Sequence, residues 1–239
     1  MIYITFDTDH MTEYGIQEFL EKTELPGEST FFCTQPYKSI VHTAFPHEVA
    51  FHPILDSTIE WAGVIKKMVY DFGIIPSGLR SHSCTYSQRF AVTLSEIGIK
   101  YISHQTPLFQ KGIKPYFTPW GLWEFPIYYM DNMDFILQNV VPHHRPFNNK
   151  IISSCISDHN SVYVFDFHPI HIMLNTSRQK DYLSWFESGC PKPRPANNKR
   201  KGVRDFFMAL VSEMRMHGEK SASLSSWIDN QNQNYGVAK

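Results

Sequence analysis

The chain has 239 residues, 42% hydrophobic and 19% charged, with a net charge of −1. That is enough apolar material for one large domain, and the near-neutral balance gives no electrostatic case for nucleic acid or an anionic membrane as the main partner. Cys33, Cys84, Cys155 and Cys190 form no CxxC pair, which suits a reducing compartment. The chain opens directly on a strand with no secretory leader, and no apolar run nears the roughly 18 residues of a membrane span. A soluble, cytoplasmic protein is expected.

Residues 2–5 are β-branched and aromatic and predict a strand. It runs straight into Asp7 and Asp9, with His10 behind them. Carboxylates at the exit of a buried strand are costly unless a metal or a proton-transfer role accounts for them. The competing reading is that they only cap the next helix. That helix is predicted over 13–22 from the spacing of Ile16, Phe19 and Leu20, and Pro26-Gly27 closes it. Strands follow over 29–34 and 48–51. A helix over 59–72 carries Trp61, Ile65, Met68, Val69 and Phe72 on one side and stops at Gly73. Then come a short strand over 78–81, a helix over 87–97 ended by Gly98, and strands over 101–103, 123–128 and 162–167. Residues 190–202 (CPKPRPANNKRKG) read as an exposed loop, a solvated linker in preference to a nucleic-acid- or polyphosphate-binding patch. A helix over 203–217 turns Phe206, Phe207, Leu210, Val211 and Met214 inward, and the polar tail is expected to fray beyond about residue 230.

Strands alternating with helices predict βα units and a parallel sheet. Seven strand candidates, with no GxGxxG or P-loop glycine pattern, fit a single α/β domain over 1–239 of the barrel type. In such a barrel, chemistry sits where strands end. The candidates there are Asp7-Thr8-Asp9-His10, His52-Pro53, Arg80-Ser81-His82-Ser83 and His168-Pro169-Ile170-His171. An aspartate with histidines from separate loops is a ligand set for Zn²⁺ or a similar divalent ion, which keeps one position open for water. With a carboxylate as base and a histidine as acid, the set suits hydrolysis of an amide or ester. His47 and His104 read as structural residues, and His10 and His171 as pocket rim. Trp120, Trp123 and Tyr128 could stack on a sugar ring or simply pack in the core.

These residues resemble the polysaccharide deacetylases of the NodB-homology type, carbohydrate esterase family 4. The resemblance implies a distorted seven-stranded (β/α) barrel that removes N- or O-acetyl groups from sugars with a divalent metal. Thr5-Phe6-Asp7-Thr8-Asp9 is similar to the first motif, which makes Asp7 the base and Asp9 a metal ligand. His47-Glu48-Val49-Ala50-Phe51-His52 is similar to the second, whose last histidine binds metal. Gly78-Leu79-Arg80 is similar to the third, whose arginine holds the catalytic aspartate. Residues 123–131 fall where the fourth motif would be, with Trp123 as pocket wall and Asp131 as an acid near the arginine. Phe165-Asp166-Phe167-His168 is similar to the fifth, whose histidine is the general acid. His168-Pro169-Ile170-His171 and Arg80-Ser81-His82-Ser83 further resemble the WbmS-like subgroup, associated with lipopolysaccharide and other surface-glycan biosynthesis.

Two departures stand out. Asp56 occupies the position of the second motif's further histidine, and Arg80-Ser81-His82-Ser83 replaces the usual Arg-x-Pro-Tyr. His82 is therefore expected as the third ligand beside Asp9 and His52, with Asp56 as the fallback and loss of the metal as a third outcome. Zn²⁺ is the expected ion, with Co²⁺, Ni²⁺ or Mn²⁺ as alternatives. The expected partner is an N-acetylated sugar or glycan contacted by Trp123, Asp131 and His171. The alternatives are a deformylase or other amidohydrolase on a carrier-linked sugar, and a non-catalytic glycan-binding protein. Oligomeric state is not legible.

Overall fold

Ile2–Asp7 forms β1, and all six of its residues are buried, as a strand must be when it is flanked on both edges and covered on both faces. A computed structural model describes residues 1–41, 47–56, 60–195 and 200–235. After β1 come α1 (Glu13–Lys22), β2 (Thr30–Cys33), α2 (Lys38–Val41), β3 (Glu48–Phe51), α3 (Trp61–Phe72) and β4 (Gly78–Leu79). The second part holds α4 (Gln88–Ile97), β5 (Tyr101–Ile102), β6 (Tyr116–Phe117), β7 (Trp123–Glu124), β8 (Ile127–Met130), α5 (Asp131–Leu137) and α6 (Asn149–Ile156). It ends with β9 (Tyr163–Phe167), α7 (Pro169–Leu174), α8 (Gln179–Glu187), α9 (Val203–Met216) and α10 (Leu224–Tyr235). The first helices begin and end on local signals. The Thr12 side chain accepts from the Gly15 N–H at the start of α1, Ser87 does the same for Phe90 in α4, and α3 stops at Gly73 with φ +66°. The start of the predicted 59–72 helix, residue 59, lies outside the described residues.

The nine strands run in the order β6-β7-β5-β4-β3-β2-β1-β9-β8. All pairs are parallel except β6 with β7. The strand expected over 123–128 is in fact two, and they lie toward opposite ends of that order. Only Phe125 and Pro126 separate them, and three Cα steps span at most about 11 Å, so the sheet has to curl until its ends meet. Ile127 completes the closure: its N–H donates to Gln105 O on the β5 side at 2.8 Å, and the same residue pairs with Val164 of β9. With antiparallel β6 set aside and β7 and β8 counted as one bent strand, seven parallel staves remain. The expected α/β barrel class is observed, with its strand count corrected to nine.

Period-two alternation sorts the staves into two faces. Ile2, Ile4 and Phe6 of β1, with Phe165 and Phe167 of β9, join the large cluster under the helices, alongside Phe206, Phe207 and Leu210 of α9. Tyr3, Phe32, Ala50, Tyr101, Phe125 and Val164 form a separate interior cluster. Leu224 and Ile228 of α10 belong to that interior cluster, so α10 plugs the end of the barrel where the strands begin. Thr30 Oγ1 accepts from the Leu224 N–H at 3.0 Å and Glu48 Oε2 from the Ser225 N–H at 3.1 Å, capping the helix from inside. The polar tail is thus helical as far as Tyr235, and residues 236–239 lie outside the described residues. No described helix is long and apolar enough to cross a membrane.

Gly78 has a steric reason. A Cβ there would lie 1.9 Å from the ring of Tyr101, which fills the interior and is fully buried. Gly78→Ala should therefore destabilise the fold by about 1–3 kcal/mol, seen as a lower urea midpoint at unchanged slope. An unchanged midpoint would show that the Tyr101 ring yields freely.

Candidate active site

The interior face becomes polar toward the strand exits because every second residue there is polar. In β1 the inward series runs Tyr3, Thr5, Asp7. In β3 it runs Glu48, Ala50 and on to His52, after β4 it reaches Arg80, after β5 Ser103, and in β9 it runs Val164, Asp166 and on to His168. Thr5, Arg80, Ser103 and Asp166 are all fully buried. Arg80 Nη1 donates to Asp7 Oδ1 at 2.8 Å, to Thr5 Oγ1 at 3.1 Å, and to Asp166 Oδ1. Its Nε donates to Ser103 O and its Nη2 to Ser103 Oγ, while the guanidinium lies 4.1 Å over the Phe32 ring. Burial disfavours the Arg80 cation, but the Asp166 and Asp7 carboxylates outweigh it and hold the group charged. Asp166 is pushed up to about 7 by burial, against the pull of Arg80.

One layer further out, Asp9 gathers three histidines. Its Oδ2 lies 3.2 Å from His52 Nε2 and 3.6 Å from His168 Nε2, and its Oδ1 lies 3.1 Å from His82 Nδ1. Burial works against ionisation of Asp9, yet the contacts with His168, His52 and His82 hold it far below the usual carboxylate range. His52 Nδ1 sits 2.7 Å from Arg80 O. A carbonyl can only accept, so Nδ1 carries a proton; without a second proton on Nε2, which the nearby Asp7 and Asp9 carboxylates favour, that lone pair faces a carboxylate oxygen. Two lone pairs facing each other at 3.2 Å call for a proton or a cation between them. Asp9, His52 and His82 each offer a ligand atom, all within 4.8 Å of one another. This donor set fits a divalent cation. Asp56, the fallback, is exposed and belongs to none of the three acid–histidine clusters found among the described residues.

His168 is aimed by Asp131, which opens α5. Asp131 Oδ1 lies 2.7 Å from His168 Nδ1, and its Oδ2 accepts from the His168 N–H at 2.8 Å. Both carboxylate oxygens are thereby used on His168. Asp131 is fully buried, so it positions the histidine and does not line the pocket as expected. The acid beside the arginine is Asp166 instead. His171 is also buried: its Nδ1 meets Thr176 Oγ1 at 3.1 Å, its ring packs 5.3 Å from His168, and burial lowers it to about 4. Expected at the rim, it lies behind His168. The structure does not bring Trp123 to this site either. Trp123 starts β7, so it lies at the opposite end of the barrel, where its ring packs 5.0 Å from Trp227 and 5.3 Å from Phe117.

A cavity of 320 Å³ opens over the cluster, lined by Asp7, Asp9, His82, Ser83, Met133 and His168 among others. Ser83 and Cys84, in the 3-10 turn His82–Cys84, both have positive φ, 56° and 51°. Such backbone is rare outside glycine and concentrates at functional sites. Asp166, Thr5 and Ser103 had no role in the sequence reading. Stepping inward by two from His168 and from Asp7 would have found the first two, because both share the interior face with them.

A curled parallel barrel with paired acids and histidines at its strand exits is the architecture of a polysaccharide deacetylase. The model of the WbmS-like polysaccharide deacetylase family matches residues 4–185, and the chain belongs to that family. Among solved structures, one from Bordetella bronchiseptica, WbmS, assigned as a polysaccharide deacetylase involved in O-antigen biosynthesis, has a TM-score of 0.70 at 19% identity, covering 89% of this chain and 90% of that one. The 4-α-glucanotransferase of Thermococcus litoralis has a TM-score of 0.53 at 16% identity, covering 95% of this chain but 40% of that one. At these identities the likeness is one of fold. No curated protein matches.

Arg80→Met leaves two buried carboxylates without their shared cation and should cost about 3–5 kcal/mol. Adding Asp166→Asn should recover part of the loss. The single variant's deficit should shrink as pH falls, because unpaired buried carboxyls bind protons more readily folded than unfolded. Urea midpoints across pH 5–8 check both, and a deficit independent of pH would contradict the assignment.

Proposed function

We propose that this protein is a metal-dependent hydrolase that removes an N-acetyl group from a sugar or glycan intermediate. The carrying observation is that Asp9, His52 and His82 form one ligand-competent cluster, with a free carboxylate oxygen on one side and an aimed imidazole on the other. Asp9, His52 and His82 would hold the ion, Zn²⁺ in the first instance. When bound, such a cation polarises an acyl carbonyl and makes water more acidic.

The chain's own groups account for the proton movements. Arg80 anchors Asp7 Oδ1, leaving Oδ2, 3.8 Å from His52 Nε2, to take a proton from the attacking water. Burial opposes a charge on His168, but Asp131 raises it above the ordinary imidazole value, which favours a proton there. Its Nδ1–H stays on Asp131, which leaves Nε2 to deliver a proton to the departing amine nitrogen. Asp7, on the cavity wall, is backed by the buried Arg80. The assignment of the Bordetella bronchiseptica relative to O-antigen biosynthesis supports a surface-polysaccharide precursor as substrate; the proposed enzyme is a single domain acting on that precursor in the cytoplasm.

Asp7→Asn should abolish acetate release while leaving the bound Zn²⁺ stoichiometry unchanged. His52→Ala should lose the metal and the thermal stabilisation that added Zn²⁺ confers. Elemental analysis with an acetate assay reads both. Turnover retained in Asp7→Asn would sink the mechanism, and release of formate in place of acetate would move the activity to a deformylase.

A further inference from the structure

The loop that follows β4 carries the proposed ligand His82, and its backbone is strained. Ser83 and Cys84 both have positive φ, a conformation that persists only where its surroundings impose it. His82 is poorly placed to impose it: its side chain is 39% exposed, its Nδ1 faces Asp9, and its ring meets His52 edge-on at 5.8 Å. The constraint comes from behind, from His104 in the segment after β5. The fully buried Ser81 donates its N–H to His104 Nε2 at 3.0 Å. Its Oγ lies 2.9 Å from the same nitrogen and donates to Thr85 O. At the far end of the loop, Tyr86 packs on the His104 ring at 5.2 Å and 34° from parallel. Between these two anchors the turn closes on itself, Cys84 N–H on Ser81 O at 3.0 Å and Thr85 N–H on His82 O at 3.3 Å. Both ends of the turn are thus tied to one imidazole. That imidazole is fixed in its own right, because the His104 N–H donates to the buried Glu124 Oε1 at 2.8 Å, joined there by the Gln105 N–H at 3.0 Å.

Packing alone does not account for a histidine at this position. A backbone N–H can only donate, so Nε2 accepts from Ser81 and the ring's proton sits on Nδ1. Burial lowers His104 to about 3, with the Arg80 cation adding to the effect, so the ring is neutral. Nδ1 is buried and has no hydrogen-bond partner among the described residues. A buried N–H left unpaired is unfavourable, and a phenylalanine would fill the same space without one. What the imidazole supplies, and a hydrocarbon ring does not, is an acceptor aimed at the residue before His82. His104 belongs to none of the acid–histidine clusters found among the described residues. Its hold on the site therefore passes through Ser81.

We infer that His104 is a positioning residue for His82, holding the turn 81–85 in its strained form through Ser81 and so setting how tightly the site binds a divalent cation. This rests on the metal-dependent reading and adds to it a residue outside the ligand set. The test is the Zn²⁺ dissociation constant of the full chain, read by competition with a chelating dye. His104→Phe should weaken Zn²⁺ binding by about tenfold or more. His104→Gln, whose amide oxygen reaches the Ser81 N–H, should stay within about threefold of the wild type. His104→Asn, whose shorter amide does not reach it, should follow His104→Phe and takes its place if the phenylalanine variant does not fold. Because the effect passes through His82, adding His104→Phe or His104→Asn to His82→Ala should bring no further loss. Equal affinity in His104→Gln and His104→Asn, or a loss repeated in full on the His82→Ala background, overturns the positioning role and leaves the metal site standing. A wild type that binds no Zn²⁺ overturns both.

Discussion

One buried cation organises the centre of this barrel. Arg80 is fully enclosed, yet it meets two carboxylates, two hydroxyls and a carbonyl contributed by β1, β9 and the end of β5. Burying a guanidinium in this way is tolerable only with its hydrogen-bonding groups engaged, so each of those staves must be in register for the centre to form. Arg80 also offers its own backbone carbonyl to His52 Nδ1. A single residue thereby fixes the orientation of the proposed base and the tautomer of a proposed ligand. Proposed catalysis and barrel assembly depend on the same group.

The barrel interior is accordingly a gradient. Aromatic and aliphatic side chains with α10 seal the end where strands begin, a neutralised polar layer lies in the middle, and acids with histidines crowd the end where strands finish. Parallel strands make this possible, because they present all their exits on one side. Trp123 and Trp227 pack against each other at the sealed end.

Much of this was legible from residues alone. Asp7, Asp9, His52, Arg80, His82 and His168 each follow a recognisable strand, and the structure gathers all six within a few ångströms. What stayed hidden depended on strand direction and on the inward or outward sense of each residue. Trp123 begins its strand and so belongs to the far end, a distinction that a match to a motif region does not make. Asp166 sits in an otherwise apolar run, YVFDF, where only the period-two link to His168 marks it as interior. Asp131 and His171 lie close to the acid–histidine cluster but behind His168, because burial cannot be read from proximity in sequence. The division of the 123–128 strand at Phe125-Pro126 reflects closure of the whole sheet, which no local propensity encodes. The helices of 131–187 are short and lack long apolar periodicity, so they too went unmarked.

The position of β1 between β2 and β9 has a temporal side. Residues 2–6 of β1 pair with Tyr163–Phe167, some 160 positions later. A chain emerging from the ribosome therefore carries a largely apolar strand, with one edge unmatched, until β9 is made. Contacts of such long sequence separation form late and slowly. The segment bearing Asp7 and Asp9 is made some 160 residues before its β9 partner, so the proposed reactive centre cannot exist in a chain that stops short of β9.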